Sequence, residues 1–240
     1  MIMITKNQIK LIKSLSFKKN RDKYNLFVVE GEKNVAELLS SDFEVHSLFA
    51  SIDWIHNNPT IKSIKVSNSE LKRISNQKKP NEVLALVNIK KHPIPSDTGS
   101  VLVLDDINNP GNMGTILRMC DWFGVQTVVC SFGSVDVYNP KVVQSSMGSI
   151  FRTVIVYKNL KEYLENIKLP IYGAFLEGDS VKNISPSKDF CLVLGNESNG
   201  ISPDLSKLII NRVKIENIGK KTNSLNVAVA TSILLHEFCC

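Results

Sequence analysis

The chain lacks any apolar run long enough to span a bilayer, and Met1 to Lys6 lack the basic stretch and apolar core of a secretion signal. Both absences lead to the expectation of a cytoplasmic protein that does not enter the membrane. The five cysteines, Cys120, Cys130, Cys191, Cys239 and Cys240, are odd in number and scattered, with no Cys-x-x-Cys pair and no histidine at metal-ligand spacing. Neither a disulfide frame nor a metal site is supported, and reduced thiols are expected, three of them buried. The Gly-Lys-Ser/Thr of a Walker loop is absent, and so is the Gly-x-Gly-x-x-Gly of a dinucleotide fold. Internal repeats and low-complexity segments are lacking too.

What is present is the make-up of a soluble globular protein of one or two domains: 240 residues, 43% apolar and 22% charged. The net charge of +6 is concentrated at one end. Residues 1–29 hold Lys6, Lys10, Lys13, Lys18, Lys19, Arg21 and Lys23 against Asp22 alone, which accounts for the whole excess. A basic end on a neutral body suits a polyanion, most readily RNA, through phosphate neutralisation; a solvated basic helix fits the same residues.

Ile4 to Ser16 carries an imperfect helical pattern, followed by strands at 26–29, 44–50, 61–66 and 82–89 with helices between them. Ser67 and Glu70 have the spacing of a capping box. This alternation indicates a small α/β domain over 1–92, and the proline-rich stretch 93–99 reads as a linker. A second domain, 100–240, alternates near-continuous apolar strands (100–105, 125–131, 190–194, 212–216) with helices, including 113–123 stopped by Gly124 and an apolar final helix. Such strands belong to a parallel sheet covered on both faces, and the final helix should be buried.

Ligands of parallel sheets sit beyond the carboxyl ends of strands. Three loops there stand out: Asp105 to Arg118, Gly195 to Ser202, and Gly219 to Asn226. In the first, Asn112 can cap the following helix, and Arg118 follows it closely enough to oppose the helix dipole. In the third, Ser224 either caps the last helix or serves a ligand.

Asn112-Met113-Gly114-x-x-x-Arg118, Leu194-Gly195-Asn196-Glu197-x-x-Gly200-Ile201 and Ser224-Leu225-Asn226-Val227-Ala228-Val229-Ala230 resemble, in order and context, the three motifs of the SpoU/TrmH RNA ribose 2′-O-methyltransferases. Phe27-Val28-Val29-Glu30-Gly31 is similar to the start of the small substrate-binding domain of the ribosomal-RNA branch, so the likeness covers nearly the whole chain. Ser146-Met147-Gly148-Ser149 also resembles a family stretch, with a packing role. The resemblance implies a C-terminal domain threaded as a deep trefoil knot, S-adenosylmethionine as cofactor, a homodimer, and methyl transfer to RNA, ribosomal RNA by the likeness of the first domain. It further implies that Leu194, Gly195, Asn196, Ile215, Asn217, Ser224 and Leu225 hold the cofactor. Asn112, Arg118, Glu197, Ser224 and Asn226 would then line the reaction centre. Glu197 as a structural cap is the other reading of that residue. The chain departs from the family at Ile215-Glu216-Asn217, where Ile-Pro-Met is common, which puts a carboxylate near the adenosine pocket. The competing reading is an RNA-binding protein that keeps the fold without the chemistry.

Overall fold

A computed structural model of the protein describes residues 4–92, 99–219 and 221–240. Except for Gly99, the linker expected over 93–99 lies outside them. The chain forms two compact units, 1–91 with 136–151 and 92–135 with 152–240.

In the first unit the helical pattern of Ile4 to Ser16 is α1 (Lys6–Ser14), and a second helix that the pattern did not include follows it, α2 (Lys18–Tyr24). Thr5 and Gln8 cap α1 reciprocally. Then follow β1 (Leu26–Glu30), α3 (Glu32–Leu39), β2 (Val45–Ala50), α4 (Ile52–Asn57), β3 (Ile64–Lys65), α5 (Asn68–Ile74) and β4 (Val83–Asn88). The strands make a mixed sheet in the order β1-β4-β2-β3, with β2 and β3 parallel and the other pairs antiparallel. The Ser67/Glu70 capping box opens α5 as the spacing predicts. Ile12, Leu15, Val28, Phe49, Ile74 and Leu86 lie in one core beside the sheet.

Arg21 corrects the reading of the basic end. Its side chain is 2% exposed and ion-paired with Asp136. Nε donates to the Asp136 carboxylate at 2.8 Å, and Nη1 donates to the carbonyls of Leu15 and Ser16. A guanidinium offers five donors in a fork, so one residue both closes the end of α1 and holds the 136–151 segment. Arg21 is therefore structural, not an RNA contact. Lys13 donates to the Ser75 carbonyl and Lys18 pairs with Asp22, while Lys6, Lys10, Lys19 and Lys23 are exposed.

The second unit runs β5 (Val101–Leu104), α6 (Pro110–Phe123) and β6 (Thr127–Ser131), after which α7 (Pro140–Ser146) clusters with the first unit. In that segment Gly148, at φ +91°, lies so close to the Glu37 side chain that a Cβ would fall 2.5 Å from Glu37 Cγ, a packing contact. The second unit resumes with β7 (Val154–Lys158), α8 (Leu160–Asn166), β8 (Ile171–Ser180), β9 (Cys191–Leu194), α9 (Pro203–Ser206), β10 (Asn211–Lys214) and α10 (Val227–Cys239). All six strands are parallel, in the order β10-β8-β9-β5-β6-β7. Alternation along the strands sends Val101, Val103 and Val193 toward α8 and α9, where Leu160 and Leu205 meet them. Leu102, Leu104 and Leu192 point the other way and are fully buried, so both faces are covered. Gly124, at φ +76°, ends α6 as a left-handed cap.

Cys120, Cys130 and Cys191 are buried as expected, and burial pushes the Cys130 and Cys191 thiols up to about 12. Thiols so far from ionising are poor nucleophiles. The final helix is less buried than its composition suggests. Val227, Thr231, Leu234, Leu235 and Phe238 face inward, but Val229 remains 49% exposed.

Candidate active site

The loop after β5 is fixed from both sides. Buried Asp105 accepts from the Ser202 backbone N–H at 2.8 Å, and the Asp106 carbonyl accepts from Asn196 Nδ2 at 2.8 Å. Asp106 N–H donates in turn to Ser131 Oγ at 2.9 Å. With Pro110 at its first position, α6 begins earlier than read from the sequence, and Asn109 is the cap, accepting from the N–H groups of Gly111 and Asn112. The capping role expected of Asn112 is thus corrected, and its side chain is free for other partners.

Those partners come from the other two loops. Asn112 Nδ2 donates to Glu197 Oε1 at 2.6 Å, and Asn112 Oδ1 accepts from Asn226 Nδ2 at 3.0 Å. Asn226 meanwhile caps α10, its Oδ1 accepting from Ala228 and Val229. Ser224 is not the cap of that helix. Glu197 is no helix cap either, because its carboxylate takes the Asn112 amide. One residue from each loop thus enters a single relay, Asn226 to Asn112 to Glu197. Replacing Asn226 by alanine removes a cap and a donor together and is expected to lower stability by about 1 kcal/mol, read from the denaturant midpoint.

Arg118 stands apart from the relay. It is exposed on α6, and among the described residues it shares no hydrogen bond with the three. Because α6 starts at Pro110, Arg118 lies in the third turn, beyond the reach of the N-terminal dipole, so the dipole conflict read from the sequence does not apply. A cation there has no structural debt to discharge and is open to a polyanion.

The Gly195 loop is a closed hairpin. Asn196 and Gly200 exchange backbone hydrogen bonds at 2.9 and 3.0 Å, and Asn196 Oδ1 accepts from the N–H groups of Ser198 and Asn199. A Cβ on Gly195 would fall 2.1 Å from the Gly200 carbonyl carbon, so only glycine permits the turn.

Beside this hairpin opens a cavity of about 740 Å³. Leu194, Gly195, Asn196, Ile215, Asn217, Ser224 and Leu225, the residues that the resemblance gave to the cofactor, all line it, together with Glu197 and Glu216. Glu216 stays exposed, 3.9 Å from Lys214. One wall was not legible in the sequence. β10 pairs with β8 at Tyr172 and Gly173 and then resumes at Asp179 and Ser180, so residues 174–178 leave the ladder. Ala174, Phe175, Leu176 and Glu177 from this excursion line the cavity, and Arg212 lies 4.5 Å from the Phe175 ring centre. Its size suits a nucleoside-sized ligand. Apolar Leu194, Ile215 and Leu225 suit a flat ring, and the carboxylates of Glu177, Glu197 and Glu216 suit a cationic group. Among the described residues, no cluster of three or more His, Cys, Asp or Glu could hold a metal ion, and no helix is long and apolar enough to cross a membrane.

Residues 99–236 match the SpoU rRNA Methylase family, and residues 6–85 match the MRM3-like substrate binding domain. The chain is 30% identical to the 23S rRNA (guanosine(2553)-2′-O)-methyltransferase RlmP of Bacillus subtilis, over 97% of this chain and 96% of that protein. Among solved structures, a putative RNA methyltransferase of the TrmH family from Porphyromonas gingivalis superposes with a TM-score of 0.88 at 37% identity, covering 99% and 98% of the two chains. An AdoMet-bound rRNA methyltransferase from Sinorhizobium meliloti superposes at 0.87 and 25% identity, covering 98% and 96%.

Proposed function

We propose a division of labour for a chain that belongs to the SpoU rRNA methylase family and transfers a methyl group from S-adenosylmethionine to a ribose 2′-hydroxyl of RNA. Large-subunit ribosomal RNA is the substrate this reading favours, because the Bacillus subtilis relative acts on 23S rRNA and aligns along almost the whole chain. The observation that carries the site assignment is the Asn226–Asn112–Glu197 relay, which ties one residue of each motif loop together at the edge of a nucleoside-sized cavity.

The cofactor, when bound, supplies an electrophilic methyl group on a sulfonium. The residues of the chain have the remaining tasks. The Gly195 hairpin and the Ile215–Asn217 segment present backbone groups and an apolar slot, and their threading as a trefoil knot belongs to this proposal. Glu197, oriented by Asn112, presents a carboxylate at the cavity. A ribose hydroxyl is a poor nucleophile at neutral pH, so its alignment is the larger contribution. Arg118 holds the target phosphate and stabilises the alkoxide as it develops. Asn112 and Asn226 keep the loops in register for both.

The reading is tested by methyl transfer from labelled S-adenosylmethionine to ribosomal RNA from cells lacking the protein, with digestion to nucleosides and Asn112→Ala as control. Label in a 2′-O-methyl nucleoside, lost in the control, is the expected result. Label on a base would refute it.

A homodimer belongs to the same proposal. α6 and α10 pack on one another, Trp122 of α6 is 81% exposed and Val229 of α10 is 49% exposed. Two exposed apolar side chains on a pair of packed helices support this reading. Light scattering on the unaltered chain should give twice the chain mass, and Trp122→Glu with Val229→Glu should give the single mass.

A further inference from the structure

Away from the exposed N-terminal lysines, the first unit holds a second polar cluster. At the carboxyl end of β1, Glu30 is buried, and its carboxylate accepts from Ser75 Oγ and from the N–H of Asn76 at 2.9 Å. That fixes the start of the 75–82 loop. Around it gather four side-chain amides: Asn81 Nδ2 donates to Gln77 Oε1 at 2.7 Å, Gln77 Nε2 donates to Gln144 Oε1 at 2.7 Å, and Asn34 Nδ2 donates to the same oxygen at 3.2 Å. Gly31 lies against them, with an added Cβ 3.2 Å from Asn81 Nδ2.

Asn34 is the anomaly. It is 3% exposed, its Nδ2 is committed to Gln144 and to the Glu30 carbonyl, and its Oδ1 is buried with no donor among the described residues. A buried acceptor left unmet is costly, and native structures rarely tolerate one without a partner. What would satisfy it is a donor, an N–H or an O–H, which a fully ionised phosphate does not carry. Asn76, Gln77, Asn81 and Gln144 are at least partly exposed above it, and Lys33, Lys78, Lys79 and Lys141 are exposed on the same short segments. Amides that can donate and accept, with lysines at hand for a backbone, match the edge of an unpaired nucleobase.

We propose that this amide cluster reads one unpaired base of the RNA substrate, with Asn34 Oδ1 accepting a base N–H and Gln77 and Gln144 contacting its edge. The proposal rests on the functional reading above, since it needs an RNA substrate. Gln77→Ala/Gln144→Ala is the variant of choice because the two side chains are accessible. Methyl transfer to an unmodified large-subunit rRNA transcript is measured with the full chain, along with cofactor binding and inhibition by single-stranded RNA 12-mers of A, C, G and U. The unaltered chain should rank the four 12-mers over a roughly fivefold or wider range, and the variant should compress them to within about twofold. The variant's KM for the transcript should rise about tenfold at unchanged kcat and cofactor affinity, with the salt dependence unaltered, because amides neutralise no phosphate. In Lys78→Ala/Lys79→Ala the salt slope should fall instead. Equal inhibition by all four 12-mers in the unaltered chain, or an unchanged KM in the variant, would overturn base reading and leave the amide cluster a packing feature of the 75–82 loop. No methyl transfer to RNA by the unaltered chain despite cofactor binding would overturn the functional reading and this one with it.

Discussion

Arg118→Ala is expected to lower the rate of methyl transfer at saturating RNA by about 10²- to 10³-fold, the usual effect of removing one donor aimed at developing negative charge. Cofactor affinity should stay near that of the unaltered chain. The reason lies in the placement. Arg118 is exposed in the third turn of α6 and takes no part in the hydrogen-bonded relay, so its removal disturbs neither the Gly195 hairpin nor the cap of α10. Single-turnover label transfer gives the rate, and calorimetric titration with S-adenosylmethionine gives the affinity. Loss of both together would show that Arg118 shapes the cavity instead of handling RNA. Arg118→Lys should recover only part of the rate, since an ammonium keeps the charge but not the forked, planar donor set suited to a phosphate.

The second large effect is expected at Gly195. An added methyl group would sit 2.1 Å from the Gly200 carbonyl carbon and 2.2 Å from the Ile201 nitrogen, and both contacts are backbone that no rotamer can relieve. The hairpin must open, and Asn196 would then release the N–H groups of Ser198 and Asn199 that it now accepts from. Overpacking of this kind costs about 1–3 kcal/mol, and because the displaced segment lines the cavity, S-adenosylmethionine binding should weaken about 10- to 100-fold. The same titration measures it. Binding unchanged in Gly195→Ala would mean that the cofactor does not depend on this turn.

Gly195 was legible in the sequence because a glycine straight after an apolar strand carries a meaning that survives without coordinates, whereas Arg118 stood out there through a dipole conflict that its place in the third turn of α6 removes. Gly124 as a helix stop and the Ser67/Glu70 capping box were legible for the same reason as Gly195: both are local devices spanning four residues or fewer. The start of α6 was missed by three residues. Asn109-Pro110 already contains the answer, since proline is favoured at the first helical position and asparagine just before it, but the apolar periodicity begins only at Met113. The Asn226–Asn112–Glu197 relay could not be read at all, because hydrogen bonds spanning 85 and 114 residues leave no periodic trace. The detour of β8 at 174–178 escaped for a related reason. Ala174-Phe175-Leu176-Glu177 looks like uninterrupted strand, and only the register with β10 reveals that it leaves the ladder. Arg21 was misread because charge in a basic segment is ordinarily surface charge, and its carboxylate lies 115 residues away.

That last separation has a consequence for the order in which the molecule can be made. The first unit is written in two pieces of sequence, 1–91 and 136–151, with β5, α6 and β6 emerging between them. During synthesis the N-terminal sheet can pair as soon as β4 has appeared, yet Arg21 must wait for Asp136 before its buried guanidinium is neutralised. A nascent chain halted near residue 92 would hold the sheet without its closing ion pair. Completion of the first unit is in this way delayed until β5, α6 and β6 of the second have already left the ribosome.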